Sequence, residues 1–422
     1  MSDEVRAIEA FFARRYAREA LYLPSGRLAL YLAFREWLRP GDRLLMSPVN
    51  DDVVFFTVLA AGLVPVLGPV DPGTGNIDPS AIDAATWTGL RGVLTTNLYG
   101  IPDRMDLLDE RCQRHNLVLI EDAAHAIDTR FDGRRIGEFG RVAAYSLTKH
   151  VGGVGGVLTF TEAARRQALE RRAAEEIRYR PVPVAIAHRV RSLLSTVGAS
   201  TRPRRWLARL RDRLVSRRPE RDGCRMAYEA AAVRQAQTEG GGLGRFDQWV
   251  RVDNHLYRTW PLRSSLRATR RRLEAFEDNR RRRLAGARKL SKLGLTPPDL
   301  PIPADTAPFR VPLFVRERDK IVAHFAQRGL ELDYIYDPSL DVYGRALAEP
   351  LSAGPGAARW SRDVLPVDPL RADRFLALLG ESPGLCEPSE VLHSATAGLV
   401  DSLIRDDRTQ EAELAGGQST SK

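Results

Sequence analysis

Glu121 and Asp122 close a short apolar run, Leu117–Ile120, and Lys149 follows 27 residues after Asp122. Ser146 stands just before that lysine, and Gly152, Gly153, Gly155 and Gly156 stand just after it. A short, continuously apolar run reads as a strand buried on both faces. Ligands of open α/β sheets bind at the carboxyl ends of such strands. A strand-end acid, a hydroxyl and a lysine among glycines suit pyridoxal phosphate (PLP). The amine forms a Schiff base, and the acid pairs with the pyridinium nitrogen so that the ring acts as an electron sink. Lys149 is then the catalytic residue and Asp122 a cofactor ligand. A free lysine is protonated at neutral pH, so this one must have its pKa lowered by burial. Plainer roles exist: a surface lysine before a loop, an acid capping the next turn.

Six apolar runs must carry these groups: Arg43–Met46, Leu63–Leu67, Gly92–Thr95, Leu117–Ile120, Ala143–Ser146 and Val157–Phe160. They alternate with helical stretches, which implies βαβ units and a largely parallel sheet. Ser25 and Gly26 open a helix with Leu28, Tyr31, Leu32, Phe34 and Leu38 on its apolar side. The N–H groups of Gly26 and Arg27 can cradle an anion there; alternatively Ser25 is an ordinary N-cap. Residues 53–70 carry no charge, but Gly62, Pro65, Gly68 and Pro69 break them into a buried helix (53–61) and a strand (63–67), not a membrane span.

The chain resembles the DegT/StrS-type sugar aminotransferases, within the fold-type-I PLP enzymes. The resemblance rests on Glu121-Asp122-Ala123-Ala124-His125-Ala126, Ser146, Lys149 and Gly155-Gly156. It extends to SGRLALYLAF (25–34), GDRLLMSP (41–48), NLYGIPDRMDLL (97–108) and VLPVDPL (364–370), covering roughly residues 1–380. It implies an α/β fold of fold-type-I PLP-transferase type, with a mostly parallel sheet in a large domain and a smaller C-terminal α/β domain. It also implies a homodimer with active sites at the subunit interface. The implied reaction is transfer of an amino group, with glutamate as donor, to a keto group on a nucleotide-linked sugar. By the same resemblance His125 lies against a face of the cofactor ring. Ser146, Ser25, Gly26 and Arg27 hold the phosphate, and Lys149 also shuttles the proton. Glu121 reads as structural.

The chain departs from the family pattern at several points. Arg27 replaces the usual Thr after Ser-Gly. The aromatic ring-stacker falls near Asp52, in SPVNDDVVFF, unless Phe55 or Phe56 shifts in. Gly223 stands where the partner subunit's asparagine is expected, and the Ser-to-Lys spacing is two residues short. Two rivals follow: a PLP-dependent sugar dehydratase, which the presence of the lysine disfavours, and a degenerate scaffold whose basic inserts bind membrane or a glycan-assembly partner.

The 422 residues suffice for two or three domains. We expect a large PLP-binding domain over 1–260, a long helix and small domain over 261–380, and an acidic, partly disordered tail over 381–422. Residues 1–20 read as an amphipathic helix at the edge of the small domain or on a partner subunit, not a signal peptide. The net charge of +10 is concentrated in two stretches: 160–222 holds 17 basic against 7 acidic residues, and 263–292 holds 12 against 3. The first includes a basic helical insertion (about 161–222), and the second reads as one long Arg-rich helix. The insertion is read either as helices packed on the body or as a surface for anionic membrane or an acidic partner. No nucleic-acid binding is expected, because the aromatics there look like helix-face packing. GGGLG (240–244) reads as a helix junction. Three scattered cysteines, without CxxC, argue for free thiols in the cytoplasm. No metal signature such as HExxH is present.

Overall fold

The computed structural model describes residues 2–178, 221–222, 224–251, 257–297, 300, 307–334, 336–351, 356–382, 384–390 and 392. Helix α1 (Asp3–Tyr16) is capped by Ser2 and ends at Ala17, which takes a left-handed conformation (φ 51°). The chain then enters β1 (Glu19–Leu23). The remaining core elements of the first part are α2 (Gly26–Trp37), β2 (Arg43–Met46), α3 (Asp52–Ala60), β3 (Val64–Leu67), α4 (Ala84–Gly89), β4 (Gly92–Thr95), α5 (Met105–Arg114) and β5 (Val118–Asp122). A small hairpin, β6 (Arg130–Phe131) with β7 (Arg134–Arg135), precedes β8 (Val142–Ser146), β9 (Gly156–Phe160) and α6 (Arg166–Glu176).

The main sheet has the order β1-β9-β8-β5-β4-β2-β3-β13, where β13 is Glu349–Pro350. Pairings from β8 to β13 are parallel, and β9 runs antiparallel to both β8 and β1. Successive residues feed opposite faces, as strand geometry requires. Leu44 and Met46 join one core with α2 and α3, while Leu45 joins the other. Val142 and Ala144 face one way, and Ala143 and Tyr145 the other. Burial on both faces explains why these strands are continuously apolar in sequence.

The first helix corrects an expectation. It ends at residue 16 rather than 20, and Val5, Ile8, Phe12 and Tyr16 pack on the main sheet in one core with Leu266, Leu273 and Phe276. The Phe12 ring lies 5.0 Å from that of Tyr145 on β8. The Arg-rich stretch is two helices, Arg263–Glu274 and Phe276–Ser291, with Ala275 between them at non-helical angles. The bend brings Phe276 to Phe11 of α1, ring centroids 6.0 Å apart. A two-stranded antiparallel sheet of β12 (Val311–Phe314) and β14 (Val364–Val367) forms a further core with the helices Arg318–Gln327 and Ala372–Gly380. Short strands β10 (Arg221–Asp222) and β11 (Arg225–Met226) pair antiparallel. Gly240–Gly242, all at positive φ, link the helices Ala230–Thr238 and Asp247–Val250, as a helix junction should. Most of the basic insertion (179–220), Gly223 and the tail beyond 392 lie outside the described residues.

Candidate active site

The carboxyl ends of β2, β4, β5 and β8 place Asp51, Asn97, Asp122 and Ser146 along one edge of the sheet. Asp122 is buried, and its Oδ1 accepts the Ala124 N–H at 3.0 Å. Burial pushes its carboxyl up to about 6, while the Lys149 charge pulls the other way. Lys149 is half-buried, and burial lowers its ammonium pKa although Asp51 and Asp122 favour the charged form. Residues 122 and 149 thus lie within reach of each other's charge. The pair supplies an amine of reduced basicity near a buried carboxylate that holds no arginine or lysine in an ion pair among the described residues.

Glycine brings the third group in. Gly156 pairs with Leu23 on one side and with Ser146 on the other. A Cβ on Gly156 would stand 2.5 Å from the Gly26 nitrogen and 2.6 Å from the Ser25 carbonyl carbon. Only glycine therefore allows the start of β9 to lie against the turn that opens α2. On Gly26 a Cβ would stand 3.3 Å from Ser146 Cβ, so the helix N-terminus and the Ser146 hydroxyl are neighbours. The α2 amides and the Ser146 hydroxyl are groups that could together hold an anion such as a phosphate. Ser146 Oγ also shares a hydrogen bond with Thr148 Oγ1 (2.9 Å).

Two residues assigned to the phosphate have other partners. Ser25 Oγ donates to the Tyr257 carbonyl (2.8 Å) and accepts the Leu28 N–H (3.1 Å), so its hydroxyl proton is used within the protein and it acts as the N-cap. Arg27 donates to the Val250 carbonyl (2.8 Å) and lies 5.7 Å over the Tyr257 ring, yet its charge still reaches Lys149 and Asp51. His125 is buried and stacks on Phe309 (5.0 Å, 13°) and Tyr99 (6.0 Å, 28°). Its Nε2 lies 2.7 Å from Lys149 Nζ. Glu121 is structural: it accepts the N–H groups of Gly137 (2.5 Å), Phe139 (3.0 Å) and Gly140 (2.6 Å) and ties the turn before β8.

Neither Phe55 nor Phe56 shifts into the site; both lie on α3 and are sealed in the core. Asp52 is buried and accepts the Met226 N–H (2.9 Å), and burial beside Asp51 raises it to about 7. Asp51 caps α3 through the Val53 N–H (3.0 Å). Burial opposes its charge, but Lys149, Asp52 and Val53 hold its carboxyl below the usual range. Sequence reading missed Asp51, Tyr99, Phe309 and Arg310. Asp51 had a signal, since it is an acid just beyond a strand, as Asp122 is. Phe309 reaches the site through long-range contacts, including its N–H bond to the Tyr99 carbonyl (2.8 Å), for which no local motif exists. Among the described residues no group of His, Cys, Asp and Glu could hold a metal ion, and no helix is long and apolar enough to cross a membrane.

The fold is that of known aminotransferases. A solved DegT DnrJ EryC1 StrS aminotransferase from Brucella abortus matches with a TM-score of 0.63 at 18% identity, covering 91% of each chain. The E. coli GDP-4-keto-6-deoxy-D-mannose-3-dehydratase, solved with bound hydrated PLP, matches at 0.60 and 17% identity over 90% of this chain and 91% of that one. Residues 2–174 match the model of the DegT/DnrJ/EryC1/StrS aminotransferase family. The dTDP-3-amino-3,4,6-trideoxy-alpha-D-glucose transaminase of Streptomyces venezuelae is 36% identical over 151 residues, 35% of this chain and 39% of that protein. Such matches span about two fifths of the length of the curated relatives.

Proposed function

We propose that this chain is a PLP-dependent aminotransferase that places an amino group on a keto carbon of a nucleotide-linked sugar, with glutamate as donor. The observation that carries the reading is the amine of Lys149, made less basic by burial, within reach of the charge of the buried Asp122 carboxylate and beside groups that could hold an anion. When bound, PLP supplies an electron sink for carbon–hydrogen bond cleavage next to nitrogen. Lys149 would hold the group through its ε-amine and carry a proton between reacting carbons. Asp122 would grip the ring nitrogen by a charge-assisted hydrogen bond. The Gly26 and Arg27 amides and the Ser146 hydroxyl would hold the phosphate, and His125 with Phe309 would line the ring's space. The lysine supports amino transfer over sugar dehydration. A nucleotide-sugar substrate is supported by the name of the Streptomyces relative. The protein would work in the cytoplasm as a homodimer, the partner completing the site, and the basic insertion would contact an anionic membrane surface.

The test is an absorbance scan of purified protein with added PLP, before and after Lys149→Ala. The reading requires a visible band in wild type that the variant lacks. Wild type that takes up no PLP would end it. Glutamate, followed by a panel of keto nucleotide-sugars, should then bleach and restore that band.

A further inference from the structure

The Tyr99 backbone N–H lies against His125 Nδ1 at 3.3 Å, and an N–H can only donate. Nδ1 must therefore hold a lone pair, and a neutral imidazole then carries its proton on Nε2. That proton faces Lys149 Nζ, 2.7 Å away. An ammonium has three donors and no acceptor, so a charged lysine here would meet a second donor. The ring cannot evade this by flipping, because a flip turns carbons toward both partners. It is also packed on Phe309 and Tyr99, and its own carbonyl accepts His150 Nε2 at 2.6 Å.

We propose that His125 is a positioning residue whose fixed tautomer holds Lys149 as the free amine, ready to react with an aldehyde. This rests on the reading of Lys149 as the cofactor lysine. The charges around the pair show why such a device matters. Asp51 from the start of α3 and Asp122 from β5 draw a proton onto Lys149, while Arg27 of α2 and Arg310 beside β12 repel it. His150 and Arg310, with Lys149 itself, oppose a charge on His125, and burial opposes it further. Two carboxylates would leave an otherwise unassisted lysine more basic; the His125 N–H counters them.

The experiment uses the cofactor-free full chain as wild type, His125→Phe and His125→Gln. Each is treated with PLP and cyanoborohydride across a pH series, and labelling of the Lys149 peptide is read by mass spectrometry. We expect the labelling midpoint to rise by about one pH unit in His125→Phe, a roughly tenfold smaller free-amine fraction at neutral pH. It should rise further in His125→Gln, whose amide oxygen can accept from an ammonium. Nitrogen-15 spectra of labelled histidine should show the Nε2–H tautomer at His125, and melting curves confirm that each variant folds. A midpoint that stays put in both variants, or an Nδ1–H tautomer, would overturn the inference alone. No label on wild-type Lys149 at any pH would overturn the cofactor reading and this inference with it.

Discussion

Replacing Asp122 by Asn separates what the carboxylate does from what it costs the fold. Its ordinary value is 3.8, and burial raises it to about 6 against the pull of Lys149. At about 1.4 kcal/mol per pH unit, keeping it ionised costs the cofactor-free protein roughly 3 kcal/mol at pH 7. The sign follows from linkage. A raised carboxyl favours the folded state while protonated, so the benefit is complete below about pH 4 and is lost as pH rises through about 6. Asparagine keeps an oxygen for the Ala124 N–H and carries no charge. Cofactor-free Asp122→Asn should therefore be more stable than wild type at pH 7 by up to about 3 kcal/mol, on the order of 3–4 °C in Tm for a chain of this length. The gap should close near pH 4. The same variant should bind PLP at least about tenfold more weakly, having lost a charge-assisted hydrogen bond. Calorimetry at pH 7 and 4, with and without PLP, reads both effects. A variant no more stable than wild type at pH 7, or equally stabilised at both pH values, would refute the reasoning.

Gly156→Ala forces a methyl onto the Ser25–Gly26 backbone; we expect a loss of about 1–3 kcal/mol in denaturant unfolding and weaker binding of PLP and inorganic phosphate by titration. Glu121→Ala leaves the amides of Gly137, Phe139 and Gly140 without their acceptor. It should cost at least about 3 kcal/mol and raise hydrogen exchange over 137–140. Arg283 is buried and donates to Asn279 (3.1 Å), the Phe309 carbonyl (3.1 Å) and Asp368 (3.2 Å). Arg283→Met should therefore destabilise by about 3–5 kcal/mol, seen as a lower Tm.

The parallel strands were legible because burial on both faces leaves a continuous apolar run, and β2 and β4 fall on the predicted residues. Strand β1 was not, since Glu19–Leu23 follows a helix with no turn signal beyond the left-handed Ala17. Strand β13 spans two residues and exists only because β3 offers a parallel edge. The Arg-rich stretch kept a helical pattern through Ala275, where tertiary packing of Phe276 bends it. In the candidate site, the groups that local pattern singled out, Asp122, His125, Ser146 and Lys149, are those close in sequence to the strand end and the glycine run. Their surroundings were not. Phe309 closes over His125 from 184 residues away, and Asp51 enters from a different strand. Local pattern names the candidate groups, whereas the walls around them are set by topology.

The central claim is that one amine carries the cofactor, and the chain makes this simple to test because it has five lysines, at 149, 289, 292, 320 and 422. Wild-type protein loaded with PLP, trapped with borohydride and mapped by peptide mass spectrometry should carry about one label per chain, on the peptide containing Lys149. Label absent from Lys149, or spread over Lys289, Lys292 and Lys320, would contradict the account.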